Sequence, residues 1–330
     1  MSINKSIQLG LCCINTVLRE KKPPIFCSRT MKIKTIEKNG LDYLKTKIID
    51  NLKDLIKLII WNEQNGIKVL RMSSDLFPHK SNKQVENYDF DFAKELLKQV
   101  GDLAKKFNHR LTFHPGQYNV VGTPNETAFQ QTIADLSYHA EVMDLMGLDQ
   151  NSVMVVHGGG IYNDKEKTVN RWCEQFELLP DIVKKRLVIE NCEKCFSIED
   201  CLIVSKRVNI PIVFDTHHYT CYNLLHKDII LKQPEYYIPL ILETWIKRNI
   251  KPKFHVSEQG SGRTGHHSDF IEVIPKYLLE IPKKYNINID IMIEAKAKEQ
   301  AIFKLYDKYK FLNLKKKLKI VDEFTILKSK

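Results

Sequence analysis

The chain has 330 residues, 43% of them hydrophobic, which suits one barrel-sized core of roughly 250 residues with additions. No uncharged apolar stretch reaches the about 18 residues that a membrane-spanning helix needs, so no such span is expected. The formal net charge of +11 favours a polyanionic partner over a cationic one, although much of the excess lies in the tail around Lys315–Lys319.

Short apolar runs alternate with amphipathic segments along the chain. The expected strands are Ile7–Cys13, Val69–Ser73, Arg110–His114, Ser152–His157, Leu187–Asn191, Ile210–Asp215, Lys253–Val256 and Ile289–Glu294. All but the first are rich in β-branched or aromatic residues. The run Leu9–Leu18 is short and carries Asn15, so it reads as part of this first strand rather than as a secretory leader. Residues 14–38, with Pro23 and Pro24, read as a long first loop. Thr123-Pro124-Asn125-Glu126 reads as a capping box with proline at the first helical position, and Ser197-Ile198-Glu199-Asp200 as a weaker version. Gly66 and Gly147 are placed to stop the helices before them.

Strand–helix alternation repeated through the chain predicts an α/β fold, a single (β/α)8 TIM barrel over residues 1–310. A doubly wound open sheet is the alternative. Residues 311–330 read as a basic C-terminal extension. No internal repeat or linker divides the chain.

The eight cysteines form no compact disulfide framework, which points to a reducing, intracellular compartment, either cytoplasm or nucleus. Cys192 and Cys195 make a C-x-x-C, but no second pair completes a four-ligand zinc site.

The informative pattern lies at the strand ends. His114, His157, Glu190, Asp215, His255 and Glu294 each terminate an apolar run, or stand within a residue of its end, and His218 follows three residues after Asp215. In a barrel these ends converge on one rim, where active sites are built. One such histidine would be an ordinary rim residue. Three carboxylates and four histidines buried together, however, need counter-charge. Divalent cations supply it, and mixed imidazole and carboxylate donors suit manganese, zinc or iron. Clustered metals suit phosphoryl transfer, in which a metal-activated hydroxide attacks phosphorus. The sequence His157-Gly-Gly-Gly160 lacks the Gly-Lys-Ser/Thr of a phosphate-binding loop and no G-x-S-x-G accompanies it, so its glycines serve a tight turn or a close backbone approach.

Seven segments in order, GIKVLRMSSDLFPH at 66–79, LTFHPGQYNVV at 111–121, VVHGGGIYNDK at 155–165, RLVIEN at 186–191, PIVFDTHH at 211–218, KFHVS at 253–257 and HSDF at 267–270, resemble the UV damage endonuclease family. The resemblance runs from about residue 7 to 296. It implies a metal-dependent DNA repair enzyme that nicks double-stranded DNA 5′ to cyclobutane dimers and 6-4 products. The implied metal ligands are His114, His157, Glu190, Asp215, His218, His255, His267 and Glu294, holding roughly two or three Mn2+ ions, with Zn2+ or Mg2+ as alternatives. Lys253 matches a lysine facing the metals, which implies carboxylation, because a protonated lysine cannot ligate; contact with phosphate is the other reading. Glu190, Lys253 and His255 are the expected catalytic residues. Gln117 and Tyr118 match the pair that enters the duplex at the lesion, and Asn15 and His79 match DNA-facing positions. Leu11 departs from the family, which carries an aromatic after Leu-Gly there. The rival functions are an abasic-site endonuclease on the same barrel, a metal-dependent sugar isomerase and a non-catalytic damage-binding module. The protein is expected to act as a monomer.

Overall fold

In the computed structural model, which describes residues 6–313, the expected strands all form, in parallel. They are β1 (Ile7–Cys12), β2 (Val69–Arg71), β3 (Arg110–Thr112), β4 (Met154–His157), β5 (Leu187–Glu190), β6 (Ile212–Asp215), β7 (Lys253–Val256) and β8 (Ile289–Ile293). Their order around the sheet is β3-β2-β1-β8-β7-β6-β5-β4. The two outer strands meet at one parallel bridge, Phe113 with Met154. There Phe113 N–H donates to Val153 O and Val155 N–H to Phe113 O, each at 3.0 Å. That seam makes a barrel of the sheet and removes the open-sheet alternative.

Helices fill the crossovers, the longest being Leu41–Gln64 and Glu126–Leu145. Their stops are those expected: Gly66 and Gly147 follow them with φ of 75° and 65°, where glycine carries no steric penalty. Ser197 and Asp200 form the complete capping box of helix Ile198–Val208. The other expected box differs, since Glu126–Leu145 is capped by Asn125, whose side chain accepts from Ala128 N, and Pro124 lies outside the helix. The expected first loop also holds more order than anticipated. It contains the helical turn Thr16–Arg19 and the start of helix Ile33–Asn39. Glu299 reaches across the fold to accept the N–H groups of Thr16 and Val17 at 2.9–3.0 Å, so this turn depends on a residue 283 positions away.

Strand alternation sorts the side chains. Leu9, Leu11, Phe254, Ile291 and Ile293 pack into the main core between strands and helices. Cys12, Val69 and Met292 form a separate cluster, and a Cβ at Gly10 would stand 2.9 Å from Met292 and 3.2 Å from Val69. Charged and polar groups share this inward side. Arg110 and Lys251 pair with buried Asp290 at 2.8 and 2.7 Å, and Lys253 and His255 are wholly buried. Leu11 is also wholly buried, so the departure from the family aromatic is absorbed in the main core. The expected basic extension falls almost entirely outside the described residues. No described helix is long and apolar enough to cross a membrane.

Candidate metal centre

The C-terminal ends of β4, β5, β6, β7 and β8 and the loop after β3 bring their acids and imidazoles onto one rim. Glu190, with 0% exposure, stands at the centre. Its Oε2 accepts from His114 Nε2 at 2.9 Å and its Oε1 faces His255 Nδ1 at 2.8 Å. His157 and His218 approach the same carboxylate at 3.8 and 3.7 Å. His255 Nδ1 also lies 3.3 Å from Glu294 Oε1, and His267 Nδ1 lies 3.9 Å from Glu294 Oε2. Asp215 caps its own helix by accepting from the N–H groups of His217 and His218, and faces His218 Nδ1 at 3.9 Å. All eight expected imidazole and carboxylate ligands therefore converge.

The backbone explains how these groups are aimed. Asn191, next to Glu190, donates from Nδ2 to Asp215 O at 3.0 Å and accepts from Asp215 N at 2.9 Å. This pair of bonds locks the ends of β5 and β6 together. The glycines after His157 serve close approach: a Cβ at Gly158 would fall 2.1 Å from the Phe196 ring, and Gly159 has φ +93°.

The donors fit divalent ions. Three subsets each offer ligand atoms within 4.8 Å of one another: His114, Glu190 and His255; Glu190, Asp215 and His218; Asp215, His255 and Glu294. Asp215 Oδ2 and His255 Nε2 are buried without a hydrogen-bond partner, an arrangement that costs free energy unless a ligand satisfies it.

The charge balance of the protein groups alone is divided. Burial pushes the Asp215 carboxyl up to about 7. Burial opposes ionisation of Glu190 too, but the charges of His255 and His157 carry it well below the usual range. Glu294 is likewise low, because Arg71 and His255 outweigh its burial. Burial holds His157 down to about 4, whereas at His218 the Asp215 and Glu190 carboxylates overcome burial and raise the ring to about 9. Neutral imidazoles and ionised carboxylates are the forms that ligate metals, so Glu190, Glu294 and His157 stand in ligating form, whereas Asp215 and His218 each release a proton to ligate.

Lys253 lies on the same face of β7 as His255, two residues deeper. Its Nζ donates to Thr112 Oγ1 at 3.1 Å, and among the described residues no carboxylate lies within 4.0 Å of it. Burial, then the charges of Arg110 and Arg71, lower it to about 7.

The expected DNA-facing residues sit on loops of the same rim. Gln117 and Tyr118 are exposed after β3, Tyr118 at 61%. Asn15 and His79 are engaged internally instead. Asn15 Oδ1 accepts from Leu18 N at 2.7 Å as a helix cap, and the His79 ring nitrogens face Met31 O at 2.7 Å and Asn82 Nδ2 at 3.3 Å. Arg71, absent from the sequence-based site, joins it through Glu294 at 2.6 Å. The sequence hid it, because the expected strand ran on to Ser73 whereas β2 ends at Arg71.

The model of UV-endonuclease UvdE matches residues 7–324. The chain belongs to the UV-endonuclease family. A protein of Acanthamoeba polyphaga mimivirus is 40% identical over 308 residues, covering 92% of this chain and 91% of that protein. The UV-damage endonuclease of Schizosaccharomyces pombe is 39% identical over 317 residues, 93% of this chain but 51% of its own length, so the chain spans about half of that relative. The crystal structure of SacUVDE superposes with a TM-score of 0.78 at 29% identity, covering 93% of this chain and 99% of that one. Membership of the UV-endonuclease family accounts for the barrel.

Proposed function

We propose that this chain is a DNA repair endonuclease that hydrolyses one phosphodiester on the 5′ side of UV photoproducts, leaving a 3′-hydroxyl. The observation that carries the reading is the convergence of buried acids and imidazoles around Glu190 in a member of the UV-endonuclease family.

His114, His157, Glu190, Asp215, His218, His255, His267 and Glu294 would hold divalent ions, most fittingly manganese. Such ions supply an activated water and positive charge at the scissile phosphate. Glu190 and His255 set the centre of the ligand array. Lys253 is proposed to carry a carboxylate on Nζ, because a buried amine without an acid partner gains an anionic form that can face the metals. Gln117 and Tyr118 are proposed to enter the duplex at the lesion, satisfying pairing edges and replacing lost stacking. Asn15 and His79 are proposed to shape the DNA-facing loops through their internal bonds. The +11 charge supports binding to the phosphate backbone.

The test is nicking of supercoiled plasmid by metal-stripped protein reloaded with manganese. Irradiated plasmid should be nicked, intact plasmid spared and abasic plasmid attacked less. Stronger cleavage of the abasic substrate would assign the chain to abasic-site repair instead.

A further inference from the structure

The exposed pair Gln117 and Tyr118 forms the tip of a turn closed by Asn119, whose N–H and Nδ2 both donate to Gly116 O, at 2.9 and 3.1 Å. Beneath the turn lies Asp135, in the middle of helix Glu126–Leu145 and 1% exposed. Its Oδ2 accepts from Asn119 Nδ2 at 2.7 Å, and its Oδ1 accepts from Ser81 Oγ at 2.6 Å and faces the Tyr118 hydroxyl at 3.4 Å. Gln131, one turn earlier on the same helix, donates to Ser81 O at 2.7 Å. The carboxylate therefore gathers the loop that carries Gln117 and Tyr118 and the loop that carries His79.

Two features mark this as more than ordinary core satisfaction. A buried carboxylate is costly, and among the described residues no lysine or arginine lies within 4.0 Å of Asp135; the one basic side chain near it is His139, whose Nδ1 lies at 3.6 Å. The donors it collects come from the rim loops. The second feature is Gly116. A Cβ there would lie 2.4 Å from Tyr118 Cε1, so the ring lies across a notch that only glycine leaves open. The ring stays largely exposed while its hydroxyl is tied down.

We propose that Asp135 is a positioning residue for damage recognition: with the Gly116 notch it sets the pose of the Gln117–Tyr118 tip before DNA arrives. This rests on the reading of that pair as the residues that enter the duplex. Ordering one rotamer-rich side chain on binding weakens affinity by about 2- to 12-fold, and a tip ordered in advance avoids that loss. Asp135 acts through Tyr118 and Asn119 and touches neither the metals nor the scissile phosphate.

The experiment uses full-length, manganese-loaded protein and duplexes with and without a cyclobutane dimer, carrying a fluorescent adenine analogue opposite the lesion. Asp135→Asn and Tyr118→Phe should each lower the ratio of affinities for damaged over intact duplex by about 2- to 12-fold. Each should also reduce the fluorescence change that reports base extrusion, raise KM, and leave metal content unchanged, and Asp135→Asn should leave kcat at saturation unchanged. The two losses should not add, because they break one shared contact. If Asp135→Asn does not fold, Tyr118→Phe and Gly116→Ala decide, since neither removes the buried carboxylate. A wild-type ratio and fluorescence change in these variants, alongside their loss in Tyr118→Ala, would overturn the positioning role and leave the lesion role of Tyr118 standing. Retention of both signals in Tyr118→Ala would overturn the two together.

Discussion

Arg71 Nη1 lies 2.6 Å from Glu294 Oε1 at the rim of the barrel, with both side chains largely shielded from solvent. The guanidinium comes from the end of β2 and the carboxylate from the end of β8, one strand apart across β1. Glu294 is also shared with His255 and His267, so Arg71 is a fixed cation among groups proposed to bind movable ones.

The first prediction follows from that pair. Removing one partner of a buried ion pair typically costs about 3–5 kcal/mol, because the other charge is left uncompensated. Arg71→Met should therefore lower the melting temperature of metal-free protein by several degrees. Manganese should restore much of the loss by giving Glu294 another cation. Thermal unfolding with chelator and with manganese checks this, and an equal loss in both conditions would count against metal binding at Glu294.

Glu190→Gln keeps the shape of the central side chain and removes its charge. Losing several kcal/mol of stabilisation corresponds to a fall in nicking of roughly a thousandfold. Bound metal, measured by atomic emission, should fall with it, while circular dichroism should stay that of the folded barrel. Wild-type turnover with manganese supplied would remove Glu190 from the centre.

Lys253 carries a modification prediction. Native mass measurement should find the added mass of one carbon dioxide, and exhaustive removal of bicarbonate should slow nicking reversibly. Lys253→Ala should be inactive and partly rescued by a short-chain carboxylic acid. A bare lysine in fully metallated, active protein contradicts the modification.

Much of this site was legible because its candidate ligands end strands, and a closed barrel brings those ends to one rim whatever the loops do. His114 shows the tolerance of that rule: the ladder of β3 stops at Thr112, yet His114 still reaches Glu190. Asp135 was not legible. It sits mid-helix, where a polar residue reads as part of a solvated face, and only the packing of two distant loops against it reveals the contact. The turn at Thr16 was hidden for the same reason, since besides its local cap Asn15 it relies on the distant Glu299 to accept its first N–H groups. At residues 123–126 both Thr123 and Asn125 are competent caps, and local sequence does not choose between them.

DNA binding should depend on salt. The logarithm of the affinity should fall linearly with the logarithm of salt concentration, with a slope of about −0.9 per phosphate neutralised. Titration between low and physiological ionic strength measures it, and a flat response would point to a small uncharged substrate.

The most direct measurement maps the cut. An end-labelled duplex with one cyclobutane dimer at a known position is incubated with manganese-loaded protein and resolved at single-nucleotide resolution. The account predicts one break in the damaged strand, immediately 5′ to the dimer, with a 3′-hydroxyl that a polymerase extends, and no break with Glu190→Gln. A cut 3′ to the lesion, cleavage spread along the strand, or equal cutting of the undamaged duplex would contradict it.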